Sequence, residues 1–241
     1  MLSIRPAVVD DDRRIEEIAI EGDAGADDWY LRIVRAEGRL LVAERDGRIV
    51  GYGGVVRAGD VAMVSDLFVA ADARGGGVGG QLLTALLDGW DRRMTCSSRD
   101  PAALAVYRRH GMEPRGRVHY LRAPAPGGGP PLEPAPWTHD RASLVDGFAA
   151  MGATVTADVA VSFGDIVEVH RLCSSDPVSV ITDVMRAAPA GAPVEVKVLE
   201  SHPFHQWLVA HGFEPFEYDT WCTTPDVEID PQLAAIDAGV F

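Results

Sequence analysis

Ala73-Arg74-Gly75-Gly76-Gly77-Val78-Gly79-Gly80-Gln81-Leu82-Leu83-Thr84-Ala85-Leu86-Leu87 is the stretch whose reading decides the fold of this chain. Five of the six residues from 75 to 80 are glycine, and they open directly into an apolar run with helical spacing. Glycine lets several backbone N–H groups converge with no side chain in the way. A helix start adds unbonded N–H donors and a partial positive charge. The stretch therefore predicts a cradle for a phosphate or pyrophosphate. Arg74 is the only charged side chain in it, whereas the chain as a whole has a net charge of −14.

Working outward, Val61–Val69 reads as the strand that feeds the cradle, and Val78–Asp91 as the helix that leaves it. Ser3–Pro6 predicts a short first strand, Asp10–Glu21 and Asp27–Arg35 two helices. Leu40–Glu44 and Arg48–Val56 alternate about Asp46-Gly47, a hairpin signal. Met94–Ser97 is a short strand, Pro101–His110 a helix with Pro in its first turn and Gly111 beyond its end, and Arg117–Leu121 a last strand. Arg122–Trp137 holds six prolines and three glycines and reads as a linker between an N-terminal domain, residues 1–121, and a smaller one, residues 138–241.

The second part repeats the first. Leu208-Val-Ala-His-Gly-Phe-Glu-Pro answers Tyr107-Arg-Arg-His-Gly-Met-Glu-Pro at an offset of 101, and Gly164-Asp165 answers Gly59-Asp60. Val178–Ala188 reads as a helix and Val194–Glu200 as a strand. The repeat has no glycine run, because Leu172-Cys-Ser-Ser-Asp-Pro leads almost straight into its helix, and it has Leu208 where the first part has Tyr107. The expected architecture is a mixed α/β sheet flanked by helices, followed by a degenerate copy.

The strand, Arg74-Gly75-Gly76-Gly77-Val78-Gly79 loop and helix resemble the acyl-CoA-binding core of the GCN5-related N-acetyltransferases (GNAT). Asp100-Pro-Ala-Ala103-Leu-Ala-Val-Tyr107-Arg-Arg-His-Gly111-Met112 is similar to that family's Asn-x-x-Ala-x-x-x-Tyr-x-x-x-Gly-Phe signature, with Asp100 for Asn and Met112 for Phe. The resemblance implies a GNAT-like fold with acetyl-CoA as acyl donor and a primary amine, on a small molecule or peptide, as acceptor. It implies that Gly75–Gly80 with Arg74 hold the pyrophosphate, and that Leu67, Phe68 and Val69 pair with the pantetheine arm as an added strand would. Asp100 and Ala103 line the same site. The N–H of Val69 would polarise the thioester carbonyl, and the Tyr107 phenol would protonate the leaving thiolate. Asp66 is the carboxylate inside the strand and the candidate general base. The family's final hairpin looks truncated after Gly111 and again after Gly212.

Other readings are an acyl-CoA sensor or scaffold without catalysis, and a dinucleotide-binding oxidoreductase, since Gly75-x-Gly77-x-x-Gly80 also fits that fingerprint. The hairpin preceding the cradle counts against the latter. His202, His205 and His211 are read as structural or surface groups, so no metal is expected. The acidic balance argues against nucleic acid or an anionic membrane as partner. Three scattered cysteines, no signal pattern and no apolar run of about 18 residues suggest a cytoplasmic chain without a membrane span. A homodimer, or an internal pseudo-dimer of the two parts, is the expected association.

Overall fold

Twelve strands join edge to edge in one mixed sheet in the computed structural model, which describes residues 1–22, 24 and 28–239. The first half contributes β1 (Leu2–Pro6), α1 (Asp12–Ile20), α2 (Asp28–Glu37), β2 (Gly38–Arg45), β3 (Arg48–Ala58), β4 (Val61–Val69), α3 (Val78–Leu86), β5 (Arg92–Ser97), α4 (Pro101–Arg108) and β6 (Glu113–Pro124). The second contributes α5 (Ala142–Ala150), β7 (Thr154–Val155), β8 (Val159–Phe163), β9 (Val167–Cys173), α6 (Pro177–Ala187), β10 (Pro193–Leu199), α7 (Pro203–Ala210), β11 (Glu214–Thr223) and β12 (Leu233–Ala235). Asp27, placed by sequence in the second helix, lies outside the described residues. The helix after the cradle is shorter than its apolar pattern suggests, because Gly89 turns the chain with φ +80°.

The strand order is β1-β2-β3-β4-β5-β11-β6-β10-β9-β8-β7, with β12 beside β9. Only β4 with β5 and β9 with β10 run parallel; every other recorded pair is antiparallel. This is not the run of parallel strands a dinucleotide fold requires. Ile15, Ile18, Leu31 and Val34 of α1 and α2 share a buried core with Tyr52, Met63 and, from the second half, Phe148 and Trp221. Leu83 and Leu86 of α3 pack with Tyr107 on the opposite face of the sheet. Gly53 permits that close seat for α3, since a Cβ there would stand 2.7 Å from Leu86 Cδ1.

The halves exchange their last strands. β5 pairs with β11, not with β6, and β10 pairs with β6. The registers obey the sequence repeat. In the central pair Val118 faces Asp219, its own counterpart at the offset of 101, and the flanking pairs Arg117–Thr220 and His119–Tyr218 interchange under that shift. Ser97–Thr220 maps onto Val198–His119, and Cys96–Trp221 onto Lys197–Tyr120. An approximate two-fold axis therefore passes between Val118 and Asp219. The strand each half lacks after its His-Gly corner is the one its counterpart supplies. β6 consequently runs from 113 to 124, well beyond the Arg117–Leu121 expected, into the proline-rich stretch. The rest of that stretch is docked on the second half, with the N–H of Ala125 donating to Ala192 O at 2.8 Å and that of Gly129 to Arg186 O at 2.9 Å.

Candidate active site

The parallel pairing of β4 with β5 ends at Val64–Thr95, so among the described residues Ser65 to Val69 have no strand paired on that side. On the other side β4 still follows β3, with Gly51 opposite Val69 and Gly53 opposite Leu67. Ala70 donates its N–H to Val50 O at 3.0 Å. In an antiparallel ladder the bonded residues alternate, so the N–H groups of Leu67 and Val69 turn away from β3 and into the gap. Arg74 reaches back to this edge, its Nε donating to Val69 O at 3.0 Å.

The glycine run sits at the top of the gap. Gly75 and Gly77 both have positive φ, +77° and +75°, where a side chain is strained. Gly77 is the residue before α3 and offers no side chain to cap it. Among the described residues, the amides of Gly75 through Gly80 meet no backbone or side-chain acceptor. Those donors are open to an anion. The equivalent start of α6 is closed, because the Asp176 carboxylate accepts from the N–H of Ser179 at 3.1 Å. Gly76 differs from its neighbours: it backs onto Arg45, whose Nη2 would lie 3.3 Å from a Cβ there. Arg45 is thus a second cation behind the loop, contributed by a strand distant in sequence.

A cleft of about 870 Å³ runs from this cradle down between β4 and α4. It gathers Leu67, Phe68, Val69, Arg74, Gly75, Gly77, Val78, Gly79, Gly80, Asp100, Ala103 and Tyr107. Gly76 and Asp66 do not line it. Ser98, Val106 and Arg109 also face it, and sequence reasoning missed them; Val106 and Arg109 lie inside the Asp100–Met112 motif and could have been taken from helical spacing with Ala102. Asp100 spends its carboxylate on its own helix, accepting from the N–H of Ala102 at 2.8 Å.

Tyr107 is buried, 7% exposed, on the α3–α4 face. Burial chiefly holds its phenol well above the usual tyrosine range, with the Asp66 charge adding to the effect and the Thr95 hydroxyl opposing it. It stays protonated at neutral pH and can give a proton. Asp66 projects to the other face, toward α2, where Tyr30 Oη donates to its Oδ2 at 2.6 Å. Ser65 is the unpaired residue of a β-bulge, since Gly54 faces Asp66 and Val55 faces Val64. Burial pushes the Asp66 carboxyl up to about 6, against hydrogen bonds from Tyr30 and Ser65. The neutral acid is thereby favoured in the folded chain relative to an unfolded Asp near 3.9. This group's contribution to stability is present below about 4 and is lost as pH rises through 6. Asp66→Asn should therefore stabilise the protein above pH 7, by roughly 2–3 kcal/mol, and the gain should vanish toward pH 4. Thermal melts of both proteins across that range check this.

The second half adds polar groups near Asp66. Tyr120 Oη donates to Asp219 Oδ2 at 2.6 Å, and Lys197 Nζ lies 3.0 Å from Glu168 and 3.6 Å from Asp237. Glu168, His170 and Asp237 bring potential metal donors within 4.8 Å of one another, but the Lys197 ammonium already stands beside both carboxylates. The histidines of the 202–211 segment are each engaged: His202 Nδ1 accepts from the N–H of Phe204 at 3.1 Å, His205 meets His119 at 3.1 Å, and His211 Nδ1 meets Trp207 O at 2.7 Å.

Residues 36–114 match the family model of the acetyltransferase (GNAT) domain. The whole chain has the fold of a Pyrococcus horikoshii protein assigned as an acetyltransferase, with a TM-score of 0.76, 14% identity, and coverage of 99% of this chain and 95% of that one. A GCN5-related N-acetyltransferase from Kribbella flavida is similar over 92% of this chain and 70% of its own, at 16% identity and a TM-score of 0.57. A GCN5-related N-acetyltransferase from Anabaena variabilis is similar over 92% and 72%, at 12% identity and a TM-score of 0.56. No curated protein sequence matches the chain. No helix among the described residues is long and apolar enough to cross a membrane.

Proposed function

We propose that the first half transfers an acetyl group from acetyl-CoA directly to a primary amine. The observation that carries this reading is the set of open amides from Gly75 to Gly80 at one end of the same cleft that holds Tyr107 and the free edge of β4. Residues Gly75, Gly77, Val78, Gly79 and Gly80 hold the pyrophosphate, with Arg74 and Arg45 as flanking cations. Leu67, Phe68 and Val69 present the strand edge against which the pantetheine arm lies. The Val69 N–H stabilises the oxyanion that forms at the thioester carbonyl. Tyr107 gives its proton to the departing sulfur.

The amine enters from the opposite face, past Asp66. An acid poised near pH 6 and buried beside the gap accepts the ammonium proton, directly or through water, once it is ionised. Asp219 and Asp237 add negative charge on that side, which suits a cationic acceptor, a small molecule or a peptide terminus. The second half, with its α6 start closed and Leu208 in place of Tyr107, acts as the wall of that acceptor side in an internal pseudo-dimer. Nucleic acid is not expected as a partner. The three cysteines are free thiols, in keeping with a reducing cytoplasm.

Tyr107→Phe tests the chemical assignment. Turnover should fall between roughly a hundredfold and ten-thousandfold, the usual worth of one positioned proton donor, while the affinity for acetyl-CoA stays within about twofold. Thiol release measured over a panel of amines gives both numbers. Wild-type protein that binds acetyl-CoA and releases no thiol with any amine would instead be a sensor.

A further inference from the structure

The second half keeps the register of the first and inverts its charge. In β4 the bulged residue is Ser65 and Asp66 follows it; in β9 the bulged residue is His170 and Arg171 follows it, Ala160 facing Arg171 and Val161 facing Val169. Where the first half buries a carboxylate, the second buries a guanidinium, 7% exposed. Its Nε and Nη1 meet no hydrogen-bond partner among the described residues. Burial first, and then the charge of Arg141, pull Arg171 down to about 10, while Asp140 and Asp230 act on it in the opposite sense from a distance.

Arg171 opens into a cavity of about 260 Å³ at the seam of the halves, between Val61 and Met94 of the first and Cys173 and Leu233 of the second. Arg141, also on its wall, is the residue before α5 and adopts left-handed backbone with φ +67°. Its side chain does not cap the helix, and the first recorded bond back along the chain is from the N–H of Val145 to Arg141 O. Arg92 stands on the same wall, already paired with Asp60. A buried guanidinium without a partner is costly, and an oxyanion that takes two of its N–H groups at once removes that cost. A nearby helix start adds donors of the same kind. Asp140, Glu228 and Asp230 at the mouth keep out large polyanions.

We propose that this cavity is a binding site for a small oxyanion, a phosphate or carboxylate group held by Arg171 with Arg141 and the start of α5. The proposal is independent of acyl transfer and concerns a different part of the sheet. Inorganic phosphate and malonate are titrated into the full chain and into Gly77→Asp, whose glycine cradle is blocked. Saturable one-to-one binding that persists in Gly77→Asp supports the site, and the anion with the higher affinity identifies the group. Absence of saturable binding of either anion to Gly77→Asp overturns it. Arg171→Met should weaken binding roughly tenfold to a hundredfold, the worth of a charged hydrogen bond. In anion-free buffer the same variant should melt at or above the wild type, because it removes an unpaired buried charge. Melting clearly below the wild type would show a purely structural arginine and overturn the proposal. A selenate soak of wild-type crystals gives a readout without any variant: an anomalous peak beside Arg171 supports the site, and peaks only elsewhere overturn it.

Discussion

Cut between Glu133 and Pro134, the chain should yield two fragments that fail to fold separately and recover a cooperative fold when expressed together. In fragment 1–133, β5 loses β11 and β6 loses both β11 and β10. Three adjacent ladders of backbone hydrogen bonds disappear from the middle of the sheet. Val118, Leu121 and Met94, all now at most 2% exposed, lose their cover, and Trp221, Leu233 and Ile236 leave the shared core. Each uncovered large apolar side chain costs about 1.5–3 kcal/mol. Three or four of them equal the whole 5–15 kcal/mol by which a domain of this size is stable. The unpaired strands would also invite aggregation. Circular dichroism melts of each fragment and of the co-expressed pair decide the matter: a cooperative transition in isolated 1–133 would show that exchange of β6 and β11 is dispensable.

That exchange marks the boundary of what was legible in the sequence. The cradle, α3 and the α4 motif were readable because each is local: glycines with positive φ, a Pro in a first turn and an Asp before it state their conformation within a few residues. The repeat was readable too, and its offset of 101 reappears in the strand register. What could not be read was which strand lies beside which. The middle of β6, Arg117–Leu121, reads as a strand, but Pro114 and Arg115 before it and Arg122 and Pro124 after it resemble a loop until β11 lies alongside. The shortage of chain after Gly111 was visible as a missing hairpin, but its remedy comes from a strand about a hundred residues away. The face of Asp66 was hidden for a different reason. Strict alternation along β4 would set it on the same face as Val64, and the bulge at Ser65 reverses the phase, sending Asp66 to Tyr30 and leaving Leu67 toward α3. Arg171 was hidden by the same device in β9.

Gly77→Asp should abolish acetyl-CoA binding while leaving the fold intact. Two effects add. The first is backbone strain: φ +75° and ψ 6° at this residue suit glycine, and an L side chain there costs about 1–2 kcal/mol. The second is electrostatic. A carboxylate about 5 Å from one pyrophosphate charge, at an effective dielectric near 20, repels it by roughly 3 kcal/mol. The electrostatic part alone is more than a hundredfold in affinity, and together with the strain the loss should reach about a thousandfold. A third effect works in the same direction on binding and the opposite one on stability. An Asp before a helix accepts from its first amides, as Asp176 does from the N–H of Ser179 at the start of α6. The substitution would thus rebuild in the first half the closed helix start found in the second, and the cap offsets part of the strain. Gly77→Ala separates the contributions, since it carries the strain without the charge or the cap and should weaken binding by only about tenfold. Calorimetric titration of coenzyme A into the three proteins, with melting temperatures alongside, gives the comparison. A folded Gly77→Asp protein that still binds within tenfold of the wild type would mean that the amides around this turn do not hold the pyrophosphate.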